Sequence, residues 1–410
     1  MTQQDPILCD TTAPLGRTAS REYGLDWLRV FAFGVLIFYH SGMAFVSWDW
    51  HIKNTEKSQV LELVMLFFNR WRLPLLFFIS GAGVCFSLRR RSWGKFAGER
   101  LRRLLIPLAF AMFVVVPPQI YFEHLYRGRS YASYGEFYRT VFQFVPYPQG
   151  SFSWHHLWFV AYILVYSLAG IPIFALVKGQ VGRRFVSWLA GSLEKWPITV
   201  YLINLPSLAV ALWLGPKWPT THNLIADWAN LSGSFITFLW GFVIASEPRL
   251  LDLIERRRRE FLWVGIVMAA AFYAMMVSGA TREWPPAWRI LTSAVVSGYL
   301  GMAWIFALVG YARAKLKQGG PALSYANEAV YPFYIAHQTI TVGLVYYVVQ
   351  CNWGVWPKVA VTVAGTFLGS WIVFEAVRRT WLTRLLFGVK EDRATKTEAR
   401  GHATGQPSIE

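Results

Sequence analysis

The chain has 410 residues, 55% hydrophobic and 17% aromatic, with a mean hydropathy of +0.34. That apolar excess recurs in segments of membrane-spanning length, which excludes an ordinary soluble domain and predicts an all-α polytopic membrane protein. The formal charge of +17 lies in short basic runs between apolar segments, the pattern of cytoplasmic loops facing anionic lipid and not that of a nucleic-acid binder.

In chain order, residues 1–24 are polar and read as a cytoplasmic lead, with no apolar core for a cleavable signal. A first span is predicted over residues 25–47. An outer loop follows with Trp48, Trp50, His51 and Lys53, then an amphipathic piece, Gln59–Asn69, expected at the membrane interface ahead of a second span at Trp71–Leu88. Between Arg89 and Arg103 seven basic residues face one acid, Glu99, a strong cytoplasmic signal. A third span is expected over 104–122, with Pro117 and Pro118 near its outer end, and the longest outer loop over 123–154. Spans four to ten are expected near 156–177, 196–215, 231–246, 261–279, 288–311, 329–349 and 359–377. Residues 25–389 thus read as one transmembrane domain and 390–410 as a disordered cytoplasmic tail.

This arrangement puts 28 of the 40 Lys and Arg inside and 10 outside, leaving only Arg29 and Arg72 within spans, so both termini are expected in the cytoplasm. Cys9, Cys85 and Cys351 show neither paired nor metal-ligand spacing, and no metal site is expected. Inspection finds no internal repeat, phosphate-cradling glycine loop or nucleophile elbow.

Chemistry concentrates in "DWLRVFAFGVLIFYH", Asp26 to His40. Arg29 and His40 are eleven positions apart, three helical turns plus ~20°, so both project from one face about 16 Å apart, with Asp26 within ~40° of the same line. An ionisable stripe in a membrane helix is costly unless it faces a bundle interior or a wet path. An arginine at a helix mouth also snorkels, and a membrane histidine also serves as a satisfied core group. On the functional reading His40 is the general-base candidate, because imidazole titrates near neutrality, and Arg29 suits a phosphate or carboxylate.

Other polar residues could meet that line. Arg72 opens the second span, where it either anchors at the interface or holds a carboxylate near His40. His155 and His156 precede "LWF" at the start of span four, His337 sits in mid-span nine, and Glu375 lies near the inner end of span ten. Each buried one needs a partner, whether in a site or in a structural pair. Asn327 and Glu328 can cap span nine. Arg100 and Arg103, at i and i+3, could grip the phosphates of a nucleotide, while Arg102 and the Arg89–Arg91 run equally suit lipid headgroups.

Arg29 and His40 with ten residues between them, "FFISG" at Phe77–Gly81, "FxxxRxxRLxxP" from Phe96 to Pro107, and "HLWF" at His156–Phe159 together resemble the family-three membrane acyltransferases. "REYGLDWLRV", the Trp50-His51 pair, "NEAVYPFYIAHQ" and "FEAVRRTWLTRLLFG" are similar to the periplasmic-glucan succinyltransferase branch. The resemblance spans about Arg21 to Lys390. It implies a bundle of about ten helices in a bacterial inner membrane. Its reaction would move an acyl group, succinyl by preference, from cytoplasmic acyl-CoA to hydroxyls of an extracytoplasmic glucan. By match His40 is the catalytic histidine and Arg29 its motif partner, while Arg72, His156, Trp158, Asn327, His337 and Glu375 line the substrate pocket; Asp26, on the Arg29–His40 line, is counted with the substrate-binding residues, and the paired Arg100 and Arg103 are the candidates for the CoA phosphates. No permanently bound cofactor is implied; acyl-CoA is a co-substrate, and the partners are the glycan, membrane lipid and, compatibly, a second copy.

Acetyl transfer to another envelope polysaccharide fits the same motifs. Ten spans with interior His, Arg and Glu are equally expected of a proton-coupled carrier or glycan exporter. Catalysis through a covalent acyl-His40 also stays open beside the general-base reading.

Overall fold

The computed structural model describes residues 21–390. Most of the expected lead and nearly all of the expected tail lie outside the described residues. Within them the regular secondary structure is helical apart from one isolated bridge between Pro146 and Phe152.

Ten helical rods make the bundle. They are α1 (Tyr23–Gly42), α2 (Gln59–Leu88), α3 (Trp93–Tyr126), α4 (His155–Ala169 with Ile171–Lys178), α5 (Pro197–Trp213), α6 (Trp228–Ser246), α7 (Arg258–Ser278), α8 (Pro286–Lys315), α9 (Pro321–Val348) and α10 (Val355–Val377). Seven are long and apolar enough to cross a membrane, and the halves of α4, bent by 51°, make an eighth. The ten spans expected from sequence therefore include two that do not qualify by length and composition. Of these, α5 is short. The 28-residue α9 carries Asn327, Glu328, His337 and Gln338, which lower its hydropathy.

The structure differs from the sequence reading at two further places. Gln59–Asn69 is not a separate interfacial piece: it continues into α2 as one 30-residue helix, capped by the Ser58 hydroxyl accepting the Leu61 N–H at 3.2 Å. And α3 begins at Trp93 instead of 104, turns π-helical over Leu101–Leu105, and restarts at Pro117, where a proline suits the first helical turn.

Helix α1 packs against α2, α8, α9 and α10, which makes it the central post. It runs parallel to α9. At their starts Trp27 Nε1 donates to the Gln318 carbonyl at 3.1 Å, and toward their far ends His40 meets His337. Helices α2 and α6 touch backbone to backbone: a Cβ at Gly81 would lie 1.8 Å from the Phe238 carbonyl oxygen, and one at Gly241 would lie 1.9 Å from that of Phe78.

The chain leaving α1 is folded back over the bundle by Lys53. Its ammonium donates to the carbonyls of Met43, Val46 and Trp48 at 2.5, 2.6 and 2.7 Å. Desolvation lowers this lysine to about 8, and the three carbonyls are what hold it inside the loop. The clip fixes the position of His51.

Candidate active site

Two clusters occupy opposite ends of the α1–α9 pair. At the far end His40 Nδ1 lies 2.7 Å from His337 Nε2, with the rings stacked at 5.0 Å and 15°. His337 is fully buried, and its Nδ1 lies 2.7 Å from the Tyr334 carbonyl, which can only accept. His337 therefore carries its proton on Nδ1. Among the described residues no carboxylate touches the ring, so it is neutral and Nε2 offers a lone pair. His40 must then donate from Nδ1, which leaves His40 Nε2 unprotonated. Assigned from the network in this way, the tautomer makes His40 a base at Nε2 with a fixed orientation.

His156 supports this arrangement from α4. Its Nε2 donates to the Ile335 carbonyl at 3.1 Å, its Nδ1 faces the Gln119 amide at 3.5 Å, its carbonyl accepts the Tyr334 hydroxyl, and its ring meets the His337 ring edge-on at 5.2 Å. Gln119 in turn donates to Thr339 at 2.8 Å. Residues 334–339 of α9 are thus held by α3 and α4 at the level of His337.

Arg72 lies within Coulombic reach of His40. It is 4% exposed, its guanidinium carbon sits 3.4 Å over the Tyr39 ring, and Nη2 donates to Asn69 at 3.3 Å, yet Nε and Nη1 are buried with no hydrogen-bond partner among the described residues. Buried, unused guanidinium donors are costly and suit an anion. Trp158 packs between Phe77 and Tyr162 and stacks on His222 at 4.0 Å. The His222 loop is tied down by Asp227, fully buried, which accepts from Tyr162, from the Thr221 N–H at 2.8 Å and from Asn230 at 2.7 Å.

The other cluster is basic. Asp26 accepts from Arg21 at 2.8 Å and from Arg29 at 3.5 Å. Arg29 also feels Arg103, and Arg100 feels Arg103, Arg91 and Arg29, so five guanidinium groups share this end with Asp26 and Glu99. Arg103 pairs with Glu99 at 3.4 Å and donates to the Gly388 carbonyl. On α9 at the same end, Asn327 has both side-chain polar atoms buried and unpartnered. Glu375 joins neither cluster. Tyr325 donates to it at 2.6 Å and Arg378 pairs with it at 3.4 Å, an ion pair beside the start of α9.

One further group escaped the sequence reading. His51 Nδ1 lies 2.5 Å from Glu123 Oε2, and His155 stacks on His51 at 4.9 Å. Ligand atoms of His51, Glu123 and His155 lie within 4.8 Å of one another, a spacing a metal ion would also accept, whereas none was expected from the sequence.

The family described as an acyltransferase domain matches residues 22–375, most of the chain. The chain belongs to this acyltransferase family. A family-three acyltransferase of multi-pass, helical build is thus what carries the two clusters, and the carrier reading falls. Among its relatives is the glucans biosynthesis protein C of Shigella dysenteriae serotype 1, 22% identical over 385 residues, which are 91% of this chain and 95% of the relative. The protein of the same name from Escherichia coli strain K12 matches equally, at 22% over the same shares. No solved structure matches.

Proposed function

We propose that this membrane acyltransferase moves a succinyl group from cytoplasmic succinyl-CoA to a hydroxyl of an extracytoplasmic glucan, with His40 as general base. The observation that carries this reading is the His40–His337 contact, because it leaves Nε2 of His40 as a lone pair with a fixed direction. His40 Nε2 takes the proton of the acceptor hydroxyl as its oxygen attacks the thioester carbonyl. Collapse of the tetrahedral adduct breaks the C–S bond, and the leaving thiolate takes the proton back from His40. His337 keeps the ring oriented throughout.

The donor side is supported by charge. The five arginines around Asp26 and Glu99 form an anion-binding end suited to CoA phosphates, and about 16 Å of helix separates Arg29 from His40, a length a pantetheine arm can cover. The bulky charged nucleotide then stays on the cytoplasmic side. The succinyl preference rests on Arg72, whose unused Nε and Nη1 suit a second carboxylate beside His40. The glucan rests on the name of the relatives. An inner-membrane location follows from the same reaction, since both acyl-CoA and the acceptor must reach one bundle.

The test is glucan acylation in cells making His40→Ala at normal protein level. Loss of modification is expected, and normal modification overturns the assignment. In purified protein, CoA thiol should be released at full rate only with acceptor present.

A further inference from the structure

Glu123 is fully buried, and each of its oxygens is occupied. Oε2 takes His51 at 2.5 Å, while Oε1 takes the Tyr147 hydroxyl at 2.7 Å and Arg127 at 2.8 Å. A carboxylate held by three donors is ionised, so His51 donates from Nδ1. Its Nε2 accepts from the side-chain amide nitrogen of Gln338 at 3.1 Å, the residue next to His337. The second ring, His155, has its Nδ1 tied to the Ser153 hydroxyl at 2.7 Å. Its Nε2 is buried and has no hydrogen-bond partner among the described residues. His155 holds this position at φ +40°, an unfavourable backbone for a side chain of its size. Of two near-parallel imidazoles, His155 thus presents an unpartnered ring nitrogen and His51 orients the Gln338 amide beside it, edged by the rings of Trp50 and Tyr147.

We infer that His51 and His155, with Gln338, form a hydroxyl-binding subsite that holds the sugar acceptor next to His40. This deepens the proposed function and rests on it. The unpartnered His155 nitrogen suits one hydroxyl of a pyranose, which can donate or accept, the Gln338 amide held by His51 suits a neighbouring one, and the flanking aromatic rings suit the apolar face of the sugar. A divalent metal on the same residues is the less favoured occupant. Arg127 and Tyr147 already use the carboxylate, and a metal between rings only 9° from parallel would lie out of the plane of their lone pairs.

The experiment uses the full-length protein in detergent, with short gluco-oligosaccharides as acceptor probes and succinyl-CoA as donor. Variants are His51→Gln and His155→Phe; the second keeps the stacked ring, removes only its nitrogens, and so carries the test if the first unfolds on thermal analysis. The expected result is a KM for the oligosaccharide raised roughly tenfold in each, consistent with one lost hydrogen bond, with the KM for acyl-CoA unchanged. Saturation-transfer NMR on the same oligosaccharides should weaken in parallel, a readout that needs no donor. Unchanged acceptor KM and NMR signal in both variants, or no oligosaccharide binding by the wild type, would overturn the subsite. So would stoichiometric zinc bound by wild type from zinc chloride alone and lost in both variants. Acylation that persists with unchanged acceptor KM removes the subsite and leaves the proposed function standing. Oligosaccharide binding that needs His51 and His155, without CoA release, does the reverse.

Discussion

His337 donates to its own helix and accepts from His40, so a histidine 297 positions away decides which nitrogen of the candidate base is free. This is the role an orienting residue has in carboxylate-backed histidine sites, performed here by a neutral ring. His337→Ala should therefore lower acyl transfer on the order of 10²-fold with little effect on the KM of either substrate. His337→Gln, which can still accept through its amide oxygen, should recover part of the loss. Steady-state kinetics on the purified variants check this, and full activity in His337→Ala would remove His337 from the site.

The Arg29–His40 line was legible because helical periodicity is a local property, and two residues eleven apart on one helix share a face whatever surrounds them. His337 could be flagged as a costly intramembrane histidine, but its pairing with His40 depends on α1 and α9 running parallel at matched depth, which no local pattern encodes. The His51–Glu123–His155 group depends on the Lys53 clip and on the restart of α3 at Pro117. His222 comes from a loop whose path is set by a buried Asp227, and nothing in its sequence neighbourhood announces the stack on Trp158. Helix boundaries were read less well where composition misleads: α2 is longer than its apolar part, and the polarity of α9 reflects what it turns inward.

Arg72 provides a test of donor choice. Its buried, unpaired Nε and Nη1 gain most from an acyl chain that ends in a carboxylate. Replacing Arg72 by Gln should reduce use of succinyl-CoA roughly 10- to 100-fold, the range of a charge-assisted hydrogen bond, and should spare acetyl-CoA. The ratio of kcat/KM for the two donors is the measurement. An unchanged ratio would assign Arg72 to packing on Tyr39 alone.

The contact between α2 and α6 predicts a failure of folding, not of chemistry. A methyl at Gly241 would meet the Phe78 carbonyl oxygen at 1.9 Å, and backbone cannot swing aside as a side chain can. Gly241→Ala should cost about 1–3 kcal/mol or more through forced separation of the helices, visible as a lower thermal midpoint in detergent. Gly94→Ala, where an added Cβ meets nothing within 4 Å, is the control and should unfold like wild type.

The basic end makes a prediction about salt. Arg29, Arg100 and Arg103 act on one another as like charges, offset by Asp26 and Glu99, so an added anion relieves their repulsion. Part of it is exposed, with the Arg29 and Arg103 side chains at 35% and 38%, so its attraction for CoA phosphates should be screened as ionic strength rises. The KM for acyl-CoA should therefore climb between about 0.05 and 0.5 M salt, while the KM for a neutral sugar acceptor stays level. Arg100→Ala should raise the donor KM at low salt and flatten its salt dependence, since one of the screened charges is gone. The same variant should leave sugar binding at the histidine end untouched. A donor KM that ignores both salt and Arg100 would mean that CoA enters elsewhere and that this cluster serves lipid headgroups instead.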